Sequence, residues 1–590
     1  MAIVLFPVEV LEYIAEYAMP EDFESFSMTC KSFHAGGGKF REKHNLLKKR
    51  YRHFKYDERQ FPWYKDVEAY ATREKGDILC ISPHQLLLQI CEEPLIARYI
   101  ITADFNLRDE FRGKERSIVL EQLELSSVLP ELMESLPWVK AGQAGLFEVK
   151  DCLIQEYQYV DNFDQGLRQS YVLATTVLLT LLPNVIELVV NARDHTLFYH
   201  DVNSEYGPRI ITIAWELLWS IVHTANEDNS LAASLCKLDS LTLDTHRYDG
   251  LLGFLEATPL LYMERLKSFH MANITTSGHE YMSNAWKDYE MPATANFGAN
   301  LQTAIFHRIR CSDSELGEFL SKLSQLRKLE LLDLDYLREH DYRGPICQDY
   351  VSAIENSARE KLEEVSLVFG IAISSRNGER GSISFTSFQK LKSLTLNFDV
   401  FFIPWKGSIW LQHDVYELSD ESEEEMEFSL INTEVTRPTT AEATTAEGSD
   451  RGYTLTAILD NPELESVTKS HLLSERLPTT IQNVTIRVNG LLTCAKALKC
   501  FLTDMDQDKS EQLPRLNSIT LQNEATNGML PSMLESMAKE QREALTWLSS
   551  CDKIRWTDDM GGDVSTTLED ILMAQNASNY ELGETSSWLS

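Results

Sequence analysis

One phrase recurs along this 590-residue chain and limits what it can fold into. An apolar residue stands two or three positions before a Leu-x-x-Leu-x-Leu core. The clearest copies are LCKLDSLTL (235–243), MERLKSFHM (263–271), LSQLRKLEL (323–331), FQKLKSLTL (388–396) and LPRLNSITL (513–521). Looser copies are LPNVIELVV (182–190), REKLEEVSL (359–367), NPELESVTK (461–469) and PTTIQNVTI (478–486), with IITADF from Ile100 and LQTAIF from Leu301 at the margin. That makes about eleven units. The last two Leu-class positions of each alternate with polar ones, the period of a strand buried on one side. Helical segments precede several of them: Asp164 to Leu182, Arg209 to Ala225, Ser314 to Leu323 and Tyr350 to Glu360. Strand, helix and strand again in one direction predict an α/β fold with a parallel sheet and its helices outside.

The phrase is similar to that of leucine-rich repeat proteins, which implies an irregular α/β solenoid, a horseshoe whose stacked units share one core. Spacing between anchors runs from 17 residues (Leu464 to Ile481) to 85 (Ile100 to Val185), so some units carry insertions. A conventional α/β domain with Leu-x-Leu strands is the rival reading. Alternation along each strand assigns an open sheet face to Ser240, Thr242, Asp244, Ser268, His270, Lys328, Glu330, Glu364, Ser366, Ser393, Thr395, Asn397, Asn483, Thr485, Arg487, Ser518, Thr520 and Gln522. That face is the expected platform for an unknown protein substrate. The plainer reading makes its Ser and Thr solvated ladder residues that pair across strands.

The N-terminus follows another pattern. Phe6-Pro7 with Glu9 opens a helix with apolar Val10, Leu11 and Ile14, and Pro20, Glu21 and Asp22 open a second carrying Phe23, Phe26, Cys30 and Phe33. The opening Phe6-Pro7-Val8-Glu9 and the closing run from Phe26 to Phe33 resemble the F-box, a short helical module. The resemblance implies that Phe6, Pro7, Val10, Leu11, Ile14, Phe23, Phe26, Cys30 and Phe33 bind a Skp adaptor and, through it, a cullin-RING ligase. Phe6 stands where the family has Leu, and Gly36-Gly37-Gly38 interrupts the place of a third helix. The basic run from Lys39 to Lys55 fits a nuclear-localisation signal, a contact for an acidic partner, or a solvated helix face.

Charge and motifs exclude several functions. A formal net charge of −35 argues against nucleic acid as a partner and favours a basic substrate. Ten cysteines without a C-x-x-C pair indicate neither a zinc module nor a disulfide framework. The acidic N-terminal segment is no signal peptide, and the apolar stretch from Tyr171 to Leu182 is too short to span a membrane. A cytoplasmic or nuclear protein is expected, with no membrane partner and no cofactor. The stretch from Glu417 to Arg451 holds eleven acidic residues against two arginines, which predicts a disordered insert over 416–452. Ser422, followed by Glu423 to Glu425, suits an acidophilic kinase. Nucleotide-binding, hydrolase and zinc-protease signatures are missing, so no catalytic residue and no metal ligand is assigned. Asp194-His195 and His200-Asp201 read as solvated loop residues.

The expected organisation is a helical module over 1–50, a helical linker over 51–95, the solenoid over 96–545, and a helix with a flexible tail over 546–590. The expected function is a non-enzymatic substrate receptor of a Skp-cullin-F-box ubiquitin ligase. The alternative is an interaction scaffold of the same build that takes no part in ubiquitin transfer.

Overall fold

The computed structural model describes residues 7–29, 31–56, 83–106, 172–191, 207–227, 233–244, 250–251, 259–272, 274–275, 296–308, 312–334, 347–369, 383–397, 476–488, 495, 498–499, 502, 513–523, 539–551 and 554–557. Its frame is one sheet of twelve strands, every neighbouring pair parallel. In order across the sheet these are β1 (His53–Lys55), β2 (Thr102–Asp104), β3 (Glu187–Asn191), β4 (Ser240–Asp244), β6 (Ser268–Ala272), β8 (Thr303–His307), β9 (Lys328–Leu334), β10 (Glu364–Phe369), β11 (Ser393–Asn397), β12 (Asn483–Val488), β13 (Ser518–Asn523) and β14 (Ile554–Thr557). Two short strands, β5 (Gly250–Leu251) and β7 (Ile274–Thr275), pair separately. Spatial order follows chain order, as expected when each unit packs on the one before it.

The recurring phrase builds this sheet through four inward anchors. In the unit of β4, Leu235, Leu238, Leu241 and Leu243 are all fully buried. A tight turn joins the first two, with Leu238 N–H donating to the Leu235 carbonyl at 3.0 Å, and the same bond recurs from Leu266 to Met263 and from Leu516 to Leu513. The residue just before each strand is the joint between units. The Asp239 carbonyl accepts from Lys267 and Ser268, the Lys267 carbonyl from Gln302 and Thr303, and the Gln302 carbonyl from Arg327 and Lys328. Backbone polarity at the start of these strands is thereby satisfied, and successive units are held in register.

Ten of the eleven units read from the sequence are strands here, and the copy at 461–469 lies outside the described residues. The sheet also extends past 96–545 at both ends, because β1 falls in the stretch read as a helical linker and β14 in the stretch read as a C-terminal helix. Both follow the same anchor spacing with other residues: Tyr51, Phe54 and Tyr56 are buried in place of leucines before and along β1. For β14 the spacing is met by Leu548, Cys551, Ile554 and Trp556. Gly298 takes the first anchor position of the β8 unit. Its φ of 55° favours glycine, and a Cβ there would lie 2.3 Å from Leu323 Cδ2, so the neighbouring leucine fills the space a side chain would need.

Helices close the buried side. The helix Val172–Thr180 is buried from Leu173 through Thr180, and Gly207–Glu227 packs on it, burying its own Leu217, Leu218, Ile221 and Val222 in the core. Asp313–Lys322 and Cys347–Ala358 form a second pair further along. At the N-terminus, the helices Val8–Tyr17, Phe23–Thr29, Lys31–Gly36 and Gly38–Tyr51 form a compact module around Ala15, Met19, Phe23 and Phe40. Gly37 begins the last of these helices. A Cβ there would sit 3.1 Å from the Phe33 carbonyl and 3.3 Å from Ser27 Oγ, so a glycine permits the close approach.

Candidate functional site

Two surfaces stand out, one on the N-terminal module and one on the open side of the sheet. Pro7 starts the first helix with its φ preset at −52° and has no N–H to leave unpaired, and Glu9 lies in the positive first turn. Leu11, Ala15 and Met19 turn inward. The opposite side of the same helix presents Val10 (38% exposed), Tyr13 (71%), Ile14 (36%) and Tyr17 (80%), and Met28 (85%) is exposed on the second helix. With Val8, these are six of the eight exposed large apolar side chains among the described residues.

This arrangement divides the nine residues that the F-box resemblance selects. Pro7, Val10 and Ile14 are exposed and Phe26 is half-buried, stacked on Phe33 at 4.4 Å between ring centroids. Leu11, Phe23 and Phe33, which the resemblance also selects, are buried by the chain's own helices. Their apolar area holds the module together. Phe6 and Cys30 lie outside the described residues. Tyr13, Tyr17 and Met28 were missed by the motif, although Tyr13 and Tyr17 share the spacing of Val10 and Ile14 on a helix.

Polar contacts fix the module to the first units of the sheet. His44 is buried at 2% exposure, stacked on Phe23, with Tyr99 Oη 2.7 Å from Nδ1 and Glu24 Oε1 3.4 Å from Nε2. Burial holds the His44 pKa below its usual value, against the opposing pull of Glu24. Glu24 is itself held below the carboxylate range, first by Lys48 and then by His44. Asn184, 3% exposed, donates at 2.7 Å to both Glu21 Oε1 and the Arg98 carbonyl, and accepts at 2.6 Å from Lys237 Nζ. The basic run forms the helix Gly38–Tyr51, where Lys43 pairs with Glu93, Lys48 with Glu24, and Arg41 donates to the His34 carbonyl. Part of that run therefore serves internal packing.

On the open face the register aligns the expected platform residues in rows. Ser240, Ser268, Lys328, Glu364, Ser393, Asn483 and Ser518 share one row, together with Thr303. Thr242, His270, Glu330, Ser366, Thr395, Thr485 and Thr520 share the next, with Ile305 among them and Arg555 at the end. Asp244 lies in a third row near the beginning of the sheet, and Asn397, Arg487 and Gln522 form its later part. His53, Lys55, Thr102, Asp104 and Glu187 extend the rows over β1 to β3. His53, Lys55 and Arg555 were hidden because the leucine template does not mark β1 and β14, and the others lie on β2, β3 and β8, whose copies of the phrase are loose or marginal. Lys328 pairs with Glu330 at 2.8 Å across its own strand, and Ser518 Oγ donates to Asn483 Oδ1 at 2.9 Å between strands. Some face residues therefore do pair as a solvated ladder would.

A mixed-charge groove of about 670 Å³ lies at the start of β3, β4, β6 and β8, lined by Lys237, Asp239, Glu264, Arg265 and Lys267, with Lys267 paired to Asp239. No group of three or more His, Cys, Asp or Glu able to hold a metal occurs among the described residues. His195, His200, Ser422 and the 416–452 insert lie outside them. No described helix is long and apolar enough to cross a membrane. The fold and its two surfaces define a class, a parallel α/β repeat architecture with an appended helical module. No protein-family model matches the chain, and no curated protein matches it.

Proposed function

We propose that the chain is the substrate-recognition subunit of a Skp-cullin-F-box ubiquitin ligase, with an F-box at its N-terminus and a leucine-rich-repeat horseshoe as its platform. One observation carries this reading. Among the described residues the exposed large apolar side chains concentrate on one module, at Val10, Tyr13, Ile14, Tyr17 and Met28, and two of these, Val10 and Ile14, are adaptor contacts that the F-box resemblance implies. Exposed apolar side chains gathered on one small module favour a protein interface there. The polar links through His44 and Asn184 support the reading too, since a receptor gains from holding substrate and ligase in one geometry. Its role is proximity, which raises the effective concentration of substrate lysines beside a ubiquitin-loaded enzyme.

The double substitution Val10→Asp with Ile14→Asp tests the docking surface. Co-purification with the Skp adaptor is expected to fall to background while the circular dichroism spectrum and melting temperature stay close to wild type, because both positions are exposed. Adaptor binding that survives the two carboxylates would remove this surface from the reading. Leu11→Asp is unsuitable as a probe, since Leu11 is 4% exposed and a buried charge would unfold the module.

A further inference from the structure

The open face of the sheet changes sign along its length. Over β1 to β10 the paired open-face positions hold five carboxylates, Asp104, Glu187, Asp244, Glu330 and Glu364, against Lys55 and Lys328. Over β11 to β14 they hold no carboxylate. There the rows consist of serine, threonine, asparagine and glutamine with two arginines, Arg487 and Arg555. Among the described residues such a carboxylate-free, arginine-bearing stretch is unexpected in a chain of net charge −35. Arg555 is exposed on the last strand, and Arg487 is half-buried with Nε donating to Gln522 Oε1 at 3.1 Å, which steadies its guanidinium.

The two arginines are two strands apart and offset by one pleat repeat, a backbone separation of about 12 Å. An extended peptide covers that distance in about three to four residues. Hydroxyls and carboxamides between them offer both donors and acceptors to a peptide backbone. We propose that the sheet face over β11 to β14 binds an extended Asp- and Glu-rich segment of a partner protein, with Arg487 and Arg555 as its charged contacts. The assignment rests on the proposed receptor function only for calling that partner a substrate. It reverses the expectation of a basic substrate, because bulk charge governs approach at long range whereas the face residues determine contact.

The test uses the purified full-length chain and fluorescently labelled twelve-residue peptides of Asp/Glu, Ser/Gly or Lys composition, read by anisotropy at low and at physiological salt. The Asp/Glu peptide is expected to bind most tightly, to weaken with salt, and to lose about tenfold in affinity in Arg487→Gln with Arg555→Gln. Arg555→Gln alone, on an exposed side chain, keeps the test valid if the double variant is unstable, and is expected to lose about threefold. Equal binding of the Ser/Gly peptide, preference for the Lys peptide, or unchanged affinity in a folded variant would overturn the proposal. A phosphoserine peptide that binds where the carboxylate peptide does not would overturn the choice of Asp and Glu. Binding that emerges only after Glu423→Gln, Glu424→Gln and Glu425→Gln would assign the face to the chain's own acidic stretch and overturn an external partner. Adaptor co-purification, measured in parallel, fails or holds independently of the peptide result, so the two readings can be separated.

Discussion

His44 shows how one side chain ties the N-terminal module to the rest. It is enclosed by Phe23 and Tyr99, with Glu24 and Lys48 as the charged groups facing it. Its folded pKa lies below the reference value of 6.5, so the folded state takes up a proton less readily than the unfolded chain. Stability from the neutral imidazole is complete above the unfolded value and is lost as pH falls through the folded one. Thermal melts of the wild type should therefore drop as pH falls below the reference value of 6.5, and His44→Gln should flatten that slope while lowering the melting temperature at pH 7.5. A wild-type slope that survives the substitution would assign the titration elsewhere. None of this environment is legible at position 44, because Phe23 and Tyr99 come from distant parts of the chain. Leu11, Phe23 and Phe33 teach the same lesson, since a motif marks which apolar residues matter but not which side of a helix the chain itself will cover.

Helix ends and strands are more legible because their causes are local. Ser312 accepts from the Glu315 N–H at 3.2 Å, and Glu315 Oε2 accepts from the Ser312 N–H at 2.9 Å, a reciprocal cap written directly as Ser-x-x-Glu. Ser312→Ala should cost about 1 kcal/mol by urea denaturation, and Ser312→Asp should restore most of it. At the other end of that helix, Lys361 Nζ donates to the Leu320 and Leu323 carbonyls at 2.9 and 2.6 Å, a cap supplied by the next unit. No local rule finds it. Strands were recovered wherever leucine or a close relative filled the anchors, as at Leu238, Leu391 and Leu516. They were missed where aromatic Tyr51 and Phe54 or Cys551 did the same job, because the spacing is what the sheet requires and the residue type can vary.

Across the whole molecule, the joint between module and sheet is the least predictable feature and the one the proposed mechanism most needs. Asn184 connects Glu21, Arg98 and Lys237 with both amide hydrogens donating and its carbonyl oxygen accepting. Asn184→Leu keeps the volume but leaves the Arg98 carbonyl and Lys237 without that partner, at a cost of about 2 kcal/mol. Hydrogen exchange should then speed up across residues 8–51 more than across β9 to β12. Uniform exchange throughout would mean that the joint is carried by apolar packing alone. The sequence by itself determined the repeating unit, its parallel direction and the polar face, since these follow from periodicities of two and of three to four that every unit repeats. Only the tertiary structure decided which apolar residues of the first helices stay exposed, how that module meets the sheet, and where the open face turns from acidic to arginine-bearing. Those features depend on residues tens to hundreds of positions apart, brought together by strand register and packing, and no local pattern encodes such a meeting.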